Sequence, residues 1–111
     1  MAKKTNEPGF DPAGQEEVAT ETRRKVKRPQ QFRVLLHNDD YTTMEFVVLI
    51  LVQVFHHSQE DAFRIMMNVH QNGIGVAGVY SYEVAETKAA KAMQIARANE
   101  YPLRCSVEPD A

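Results

Sequence analysis

A single cysteine, Cys105, means that this chain cannot form an internal disulfide. The sequence also does not open with the charged segment, apolar segment and cleavage site that make up a secretory signal. Structural disulfides belong to oxidising compartments, so both absences favour a reducing setting. We therefore expect a cytoplasmic protein.

The sequence has little excess charge and no long hydrophobic run. Its 13 Lys and Arg stand against 15 Asp and Glu, which gives a formal net charge of -2 and a pI near 6.1. No overall positive field therefore attracts a polyanion. The longest apolar stretch, residues 46–55, is interrupted by Gln53 and has about half of the roughly 20 residues that a membrane span needs. We expect no nucleic acid and no membrane as partners, and we interpret this stretch as a core element.

The sequence signatures of metal sites and of common catalytic centres are missing. Among the four histidines, His56 and His57 are adjacent, and no pair has the four-residue helical spacing with a third ligand nearby. There is no Gly-x-Ser-x-Gly motif. Gly73, Gly75 and Gly78 lead into strand-forming residues, whereas a dinucleotide site needs a helix there. We expect no metal, no cofactor and no enzymatic activity.

Residues 1–31 differ in composition from the rest of the chain. They contain three of the five prolines and two of the five glycines, with few large apolar residues and no sustained period. This composition predicts a disordered N-terminal tail, followed by one folded domain over residues 32–109. Within the tail, residues 23–28 form a basic run that lacks the interleaved aromatic residues of a single-strand-binding platform, so a solvated linker is the preferred interpretation.

Residues 37–45 form a polar connection between two apolar stretches. Residues 38–40 are Asn, Asp and Asp, which favour turns because their short side chains bond neighbouring backbone groups. Thr42 and Glu45 fit a capping box, in which the hydroxyl accepts from the third helical amide and the carboxylate returns to the threonine amide. The chain is therefore predicted to reverse direction here and to begin a helix at Thr43.

The remaining patterns predict six elements in the order β-α-α-β-α-β. Strands are indicated by β-branched and aromatic residues or by alternation, and helices by caps and three-and-four spacing. Ser58 is predicted to cap the second helix and Gly73 to end it. The predicted strands are 32–37, 74–82 and 103–108, and the predicted helices are 43–55, 59–71 and 83–100. The fold class is therefore two-layer α+β, with a three-stranded antiparallel sheet and three helices on one face.

Two groups of residues could form a binding cleft if the first two helices pack as a hairpin. The polar acceptors at the first helix start would then lie beside flexible apolar side chains, an arrangement suited to a cationic group attached to a bulky apolar one. The residues concerned are Asn38, Asp39, Asp40, Met44, Met66, Val69 and His70. The alternative is that the methionines are ordinary core residues and that His70 is a bonded histidine at a helix end.

Several separated motifs in this sequence resemble the ClpS family, over about residues 30–108. They are residues 38–47, Met66, Val69, His70, Gly78, Val79, residues 83–88, Pro102, Leu103 and Cys105. The resemblance implies a non-enzymatic adaptor, expected to be a monomer. It would recognise N-degrons, which are proteins that begin with Leu, Phe, Tyr or Trp. It would deliver them to the ClpAP protease by binding the N-terminal domain of the ClpA unfoldase.

The resemblance also implies roles for individual residues. Asn38, Asp39 and His70 would bond the substrate α-amino group, and Asp40 would add negative potential. The first side chain of the substrate would be surrounded by Thr42, Met44, Val47, Met66, Val69 and Leu103. Met44 would exclude β-branched first residues, and Glu83 and Lys88 would lie near the surface that docks on the unfoldase.

The sequence departs from the family pattern at Thr43, where the family usually has proline. Loss of that proline is expected to leave the helix cap but to loosen the turn that carries Met44. Two other hypotheses remain at this point. One is a small nucleic-acid or ribosome-associated domain that uses residues 23–28, and the other is a structural interaction domain in which the cleft is ordinary core.

Overall fold

The computed structural model describes residues 29–111. The predicted tail up to residue 28, with its basic run, lies outside the described residues, so the interpretations of both stay predictions. The observed elements are β1 (Phe32–His37), α1 (Met44–Gln53), α2 (Gln59–Asn72), β2 (Ile74–Tyr80), α3 (Tyr82–Ala98) and β3 (Arg104–Pro109). The predicted β-α-α-β-α-β order and the α+β class are confirmed.

The sheet has the strand order β2-β1-β3, with β1 in the centre and both pairings antiparallel. Leu36 of β1 stands opposite Gly75 on one side and Cys105 on the other. Between the pairs Val34 with Gly78 and Leu35 with Val76 the register shifts, so one extra residue of β2 forms a bulge. Because successive side chains of a strand point to opposite faces, alternate residues of β1 face the helices and the others face away.

The core lies between the sheet and the helices. Val34 and Leu36 are fully buried, as are Ile50 and Leu51 of α1. α3 contributes four buried alanines, whose small side chains let its backbone approach the sheet closely: Ala85, Ala89, Ala92 and Ala96. Burial of each large apolar side chain of the core, such as Leu36 or Ile50, contributes roughly 1.5–3 kcal/mol to the free energy of unfolding.

The opposite sheet face is more polar. Arg33 donates to Glu108 across the strands, with 2.7 Å between Nε and Oε2, and His37 bonds Ser106 at 2.7 Å. Val76 and Val79 are exposed on β2. This contrast agrees with helices that cover one face only.

The start of α1 differs from the prediction by one residue. The N-cap is Thr43, whose hydroxyl accepts from the Phe46 amide at 3.1 Å, so the proposed capping box of Thr42 and Glu45 is wrong. The physical reason is that Asp39 already accepts from the amide and the hydroxyl of Thr42. Thr42 therefore belongs to the preceding turn, and the next residue caps the helix.

The second helix has the predicted cap and stop residues, and it runs to Asn72, one residue beyond the predicted end. The Ser58 hydroxyl accepts from the Asp61 amide at 3.1 Å, and Gly73 ends α2 with a left-handed φ of 87°. A side chain would be strained in that conformation, which explains glycine here. The Gly73 carbonyl then accepts from the Asn38 amide at 2.9 Å, which joins the loop before α1 to the end of α2.

The last helix and the strand before it are shorter than predicted, and the last strand is shifted by one residue. Ser81 caps α3, so β2 ends at Tyr80 instead of continuing to residue 82. Glu100 has a left-handed φ of 64°, which turns the chain after the helix. Arg97 secures that turn by donating to the carbonyl oxygens of Tyr101 and Leu103 at 3.0 and 2.9 Å. Between residues 29 and 111, no helix combines the length and apolar character needed to cross a membrane.

Candidate functional site

The loop between β1 and α1 is organised by the Asp39 carboxylate. Its Oδ1 accepts from the amides of Tyr41 and Thr42 at 2.8 and 2.7 Å, and its Oδ2 accepts from the Thr42 hydroxyl at 2.8 Å. A carboxylate has about four lone-pair positions, and three are used here. Asp39 therefore fixes the loop and keeps about one position for a further donor.

These contacts also set the charge of Asp39. Burial by itself would raise the pKa of this carboxyl group. The amide hydrogen bonds from Thr42 and Tyr41, the Thr42 hydroxyl and the positive charge of Arg97 outweigh that effect, and the pKa lies below its ordinary value. Asp39 is therefore ionised at neutral pH, as an acceptor for a cation must be.

A cleft of about 360 Å³ lies between this loop and the facing sides of α1 and α2. This volume is within the roughly 300–1,000 Å³ range of small-molecule sites. Its polar residues are Asn38, Asp39, Asp40, Tyr41, Thr42, Thr43 and His70, and its apolar residues are Met44, Val47, Met66 and Val69. The acceptors lie where α1 begins and α2 ends, and the apolar residues continue along the two helices.

The apolar part of the cleft has a buried floor and an exposed rim. Val47, Met66 and Val69 are at most 8% exposed and belong to the main core, whereas Met44 is 42% exposed. Val69 is further held by β2, because a Cβ added to Gly75 would come within 2.7 Å of a Val69 methyl group. The floor is thus part of the packed domain, and Met44 is an exposed side chain beside it.

The structure brings together all but one of the residues predicted for the cleft. Leu103 is 1% exposed and lies in the core, and it does not line the cleft. Tyr41 and Thr43 line it although sequence reasoning assigned them no contact. Their position inside the polar connection was a usable signal, since a tight turn presents several of its residues to the same space.

Arg97 supports the site from outside the cleft. It holds the segment that carries Leu103 through two carbonyl contacts, and its charge lowers the pKa of Asp39. Burial raises the pKa of the Cys105 thiol to about 12, and Arg97 offsets this only in part. Cys105 is therefore a protonated core residue and not a nucleophile at neutral pH.

The two residues predicted for unfoldase docking lie on α3, which contributes nothing to the cleft lining. Glu83 is exposed in the first turn of that helix. Lys88 is half-buried: its ammonium donates to the Val54 carbonyl at 2.8 Å and lies 5.3 Å from the centre of the Tyr80 ring. Lys88 thus joins α3 to the end of α1.

The site consists of hydrogen-bond acceptors and apolar contacts. Within residues 29–111, no three His, Cys, Asp or Glu side chains are grouped so that they could hold a metal ion. The acceptors suit a ligand group that has several donors and a positive charge. The neighbouring floor suits a large apolar group attached to it.

Comparisons with known proteins identify the family of this chain. The family model "ATP-dependent Clp protease adaptor protein ClpS" matches residues 27–106. Curated ClpS adapter proteins are 56% identical over 102 residues in Hyphomonas neptunium and 57% identical over 93 residues in Phenylobacterium zucineum. These matches cover 92% and 84% of this chain, and 81% and 85% of those proteins.

A solved structure of Agrobacterium tumefaciens ClpS2 bound to L-phenylalaninamide is 40% identical, with a TM-score of 0.72. The match covers 75% of this chain and all of the other. The family match spans most of the chain, and the curated relatives share more than half of the aligned residues. The chain therefore belongs to the ClpS family of ATP-dependent Clp protease adaptor proteins.

Proposed function

We propose that the cleft binds the first residue of N-degron substrates, which begin with Leu, Phe, Tyr or Trp. The observation that carries this proposal is the placement of charged acceptors and a buried apolar floor in one cleft. L-Phenylalaninamide, the ligand of the Agrobacterium tumefaciens relative, has the two groups that such a cleft would hold. These are a free α-amino group and a large apolar side chain.

The amino group would bind at the polar end of the cleft. An ammonium has three donors and no acceptor, and we assign Asn38, Asp39 and His70 as the groups that accept from it. Asp39 has about one lone-pair position left after its loop contacts. Asp40, exposed on the same loop, adds negative potential. Each hydrogen bond to a charged group is worth roughly 1.5–3 kcal/mol.

The first side chain would lie on the apolar floor. Burial of a Leu or Phe side chain contributes roughly 1.5–3 kcal/mol, comparable with one bond to the amino group, so both halves of the ligand are needed. Met44 is the exposed wall of this space. Because branching at Cβ widens a side chain next to the backbone, we assign Met44 as the residue that excludes Ile and Val.

Delivery would use a different surface. We assign Glu83 and Lys88 to the docking surface for the N-terminal domain of ClpA, with the protein acting as a monomeric, non-enzymatic adaptor in the cytoplasm. Both lie on α3, away from the cleft-lining elements, so substrate and unfoldase could bind at the same time. Lys88 supports docking by fixing α3 against the end of α1.

The proposal is tested by fluorescence anisotropy with a labelled peptide that begins with Phe and with its N-acetylated twin. Acetylation removes the charge and two of the donors while leaving the side chain intact. The free peptide is expected to bind at least 100-fold more tightly, because bonds to a charged group are lost. Equal binding of the two peptides would refute recognition of the amino group.

A further inference from the structure

A second apolar depression of about 430 Å³ adjoins the cleft and shares Met44 and Met66 with it. We call it the outer groove, and its residues used here are Met44, Glu45, Val48, Leu49, Phe63 and Met66. Phe63 is 57% exposed and Leu49 is 41% exposed. The recognition of a first residue uses neither side chain, so the outer groove is not explained by that function.

The position of the outer groove follows from the direction of the two helices. α1 begins at Met44, beside the loop between β1 and α1 that carries the acceptors (the acceptor loop). Val48 lies one helical turn further along α1, about 5.4 Å away. α2 ends just after His70, and Phe63 lies about two turns before that histidine. Both helices therefore lead from the acceptors, past the two methionines, to the outer groove.

An extended peptide has a matching spacing. Its side chains alternate, and residues two apart face the same side at about 6.6 Å. If the amino group binds the acceptors and the first side chain enters the cleft, the second side chain faces away. The third side chain then comes about one helical turn beyond the first. We propose that the outer groove is a subsite for an apolar third residue of the bound peptide, an inference that rests on the proposed function.

The chemistry of the outer groove defines the preferred residue. Leu49, Val48 and Phe63 offer apolar contacts, which suit Leu, Met or Phe at the third position. Glu45 is exposed at the same groove, and it adds negative charge close to the acceptor loop. An acidic third residue is therefore disfavoured by like charge.

The test compares labelled peptides that all begin with Phe and have the same sequence after the third residue. Their first three residues are Phe-Ser-Ser, Phe-Ser-Leu, Phe-Leu-Ser and Phe-Ser-Glu. Because the groove is open on its outer side, we expect it to cover about half of a Leu side chain. Phe-Ser-Leu is therefore expected to bind about tenfold more tightly than Phe-Ser-Ser, which equals about 1.4 kcal/mol. Phe-Leu-Ser is expected to stay within about twofold of Phe-Ser-Ser.

Substitutions in the outer groove provide the second arm. Phe63→Ser and Leu49→Ser change exposed side chains, and each is expected to reduce the advantage of Phe-Ser-Leu to about threefold or less. Binding of Phe-Ser-Ser should not change. Val84→Ser is the matched control, because Val84 is equally exposed on α3, outside both depressions, and this variant should keep the full advantage. Urea unfolding verifies that each variant is folded.

The outcomes separate this inference from the function on which it rests. If Phe-Ser-Ser binds no better than its N-acetylated twin, the proposed function fails and the subsite fails with it. If Phe-Ser-Ser binds in the expected way but Phe-Ser-Leu gains nothing, only the subsite is refuted. Equal gains from Leu at the second and third positions would refute the assigned register.

Discussion

Asp39 has two roles in this structure, and two substitutions separate them. Asp39→Asn keeps an oxygen that accepts from the Tyr41 and Thr42 amides, but it removes the negative charge. Asp39→Ala removes the charge and all three loop contacts. Both variants should bind N-degron peptides more weakly, whereas only the alanine variant should lose the order of the loop.

The magnitude follows from the bond to the substrate amino group. A hydrogen bond to a charged partner is worth roughly 1.5–3 kcal/mol, which corresponds to about 10- to 100-fold in Kd. Asp39→Asn should raise the Kd of peptides that begin with Phe and of peptides that begin with Leu by the same factor, because no contact to the substrate side chain changes. Asp39→Ala should add a loss of about 1–3 kcal/mol in the free energy of unfolding, since two amides lose their acceptor.

Anisotropy titrations and urea unfolding measure the two effects on the same samples. Glu86→Gln is a matched control, because it removes one negative charge from an exposed position of α3. It should change peptide affinity by less than about twofold. Wild-type affinity in Asp39→Asn would refute the assignment of this carboxylate to the amino group. A factor that differs strongly between Phe and Leu would show that Asp39 also contacts the side chain.

The pH dependence of stability gives an independent reading of the same carboxylate. The folded-state pKa of Asp39 is lowered from its ordinary value of 3.8, so its ionised form stabilises the fold. That contribution is fully present above the unfolded-state pKa and is lost as the pH falls through the lower, folded-state value. The stability difference between wild type and Asp39→Asn should therefore be constant from pH 7 to about pH 5, begin to fall near pH 3.8 and vanish only below the folded-state pKa. A constant difference at all pH values would contradict the hydrogen-bonded role.

Four further predictions concern other parts of the molecule. Met44→Ala should admit peptides that begin with Ile or Val, and an unchanged preference in anisotropy competition would place Met44 outside the selecting wall. Thr43→Ala should lower the free energy of unfolding in urea by about 1 kcal/mol, because the helix cap is lost. An equally stable variant would show that the cap is dispensable. Lys88→Met should lower the free energy of unfolding by about 1 kcal/mol, because it removes the donor to the Val54 carbonyl while keeping the apolar stem. Unchanged stability would make that contact irrelevant to the fold. Cys105 should react with iodoacetamide at pH 8 only after unfolding, since its pKa is about 12; rapid labelling of the native protein, detected by mass spectrometry, would refute its burial.

Helix and strand types were predictable because they depend on local patterns. Ser58 and Gly73 mark the ends of α2 through backbone chemistry that a few neighbouring residues decide. The cap of α1 was placed one residue too early, at Thr42, because two threonines offer the same hydroxyl. The choice between them depends on which one Asp39 takes, and a capping motif alone does not contain that information.

Side-chain roles that depend on long-range contacts were harder to predict. Leu103 was assigned to the cleft through the family resemblance, yet it lies in the core with 1% exposure. Lys88 was considered only as a docking residue, but its ammonium reaches a carbonyl 34 positions earlier in the chain. Both outcomes depend on how α3 and the following turn pack against α1, and no spacing within a single element shows this.

Substitutions in the floor of the cleft would destabilise the domain, so the selectivity of the cleft has to be adjusted by substitutions at its rim. Val47, Met66 and Val69 belong to the main core, and truncation of such residues costs roughly 2–5 kcal/mol. Met44 is exposed and directly follows the cap residue, Thr43. Thr43, where the resemblance implies a proline, therefore lies at the cap, with a φ of -73° that proline could also adopt. Its hydroxyl supplies a bond to the Phe46 amide that proline could not make. The expected loosening of the turn is thus opposed by a contact of Thr43 itself, one residue before Met44.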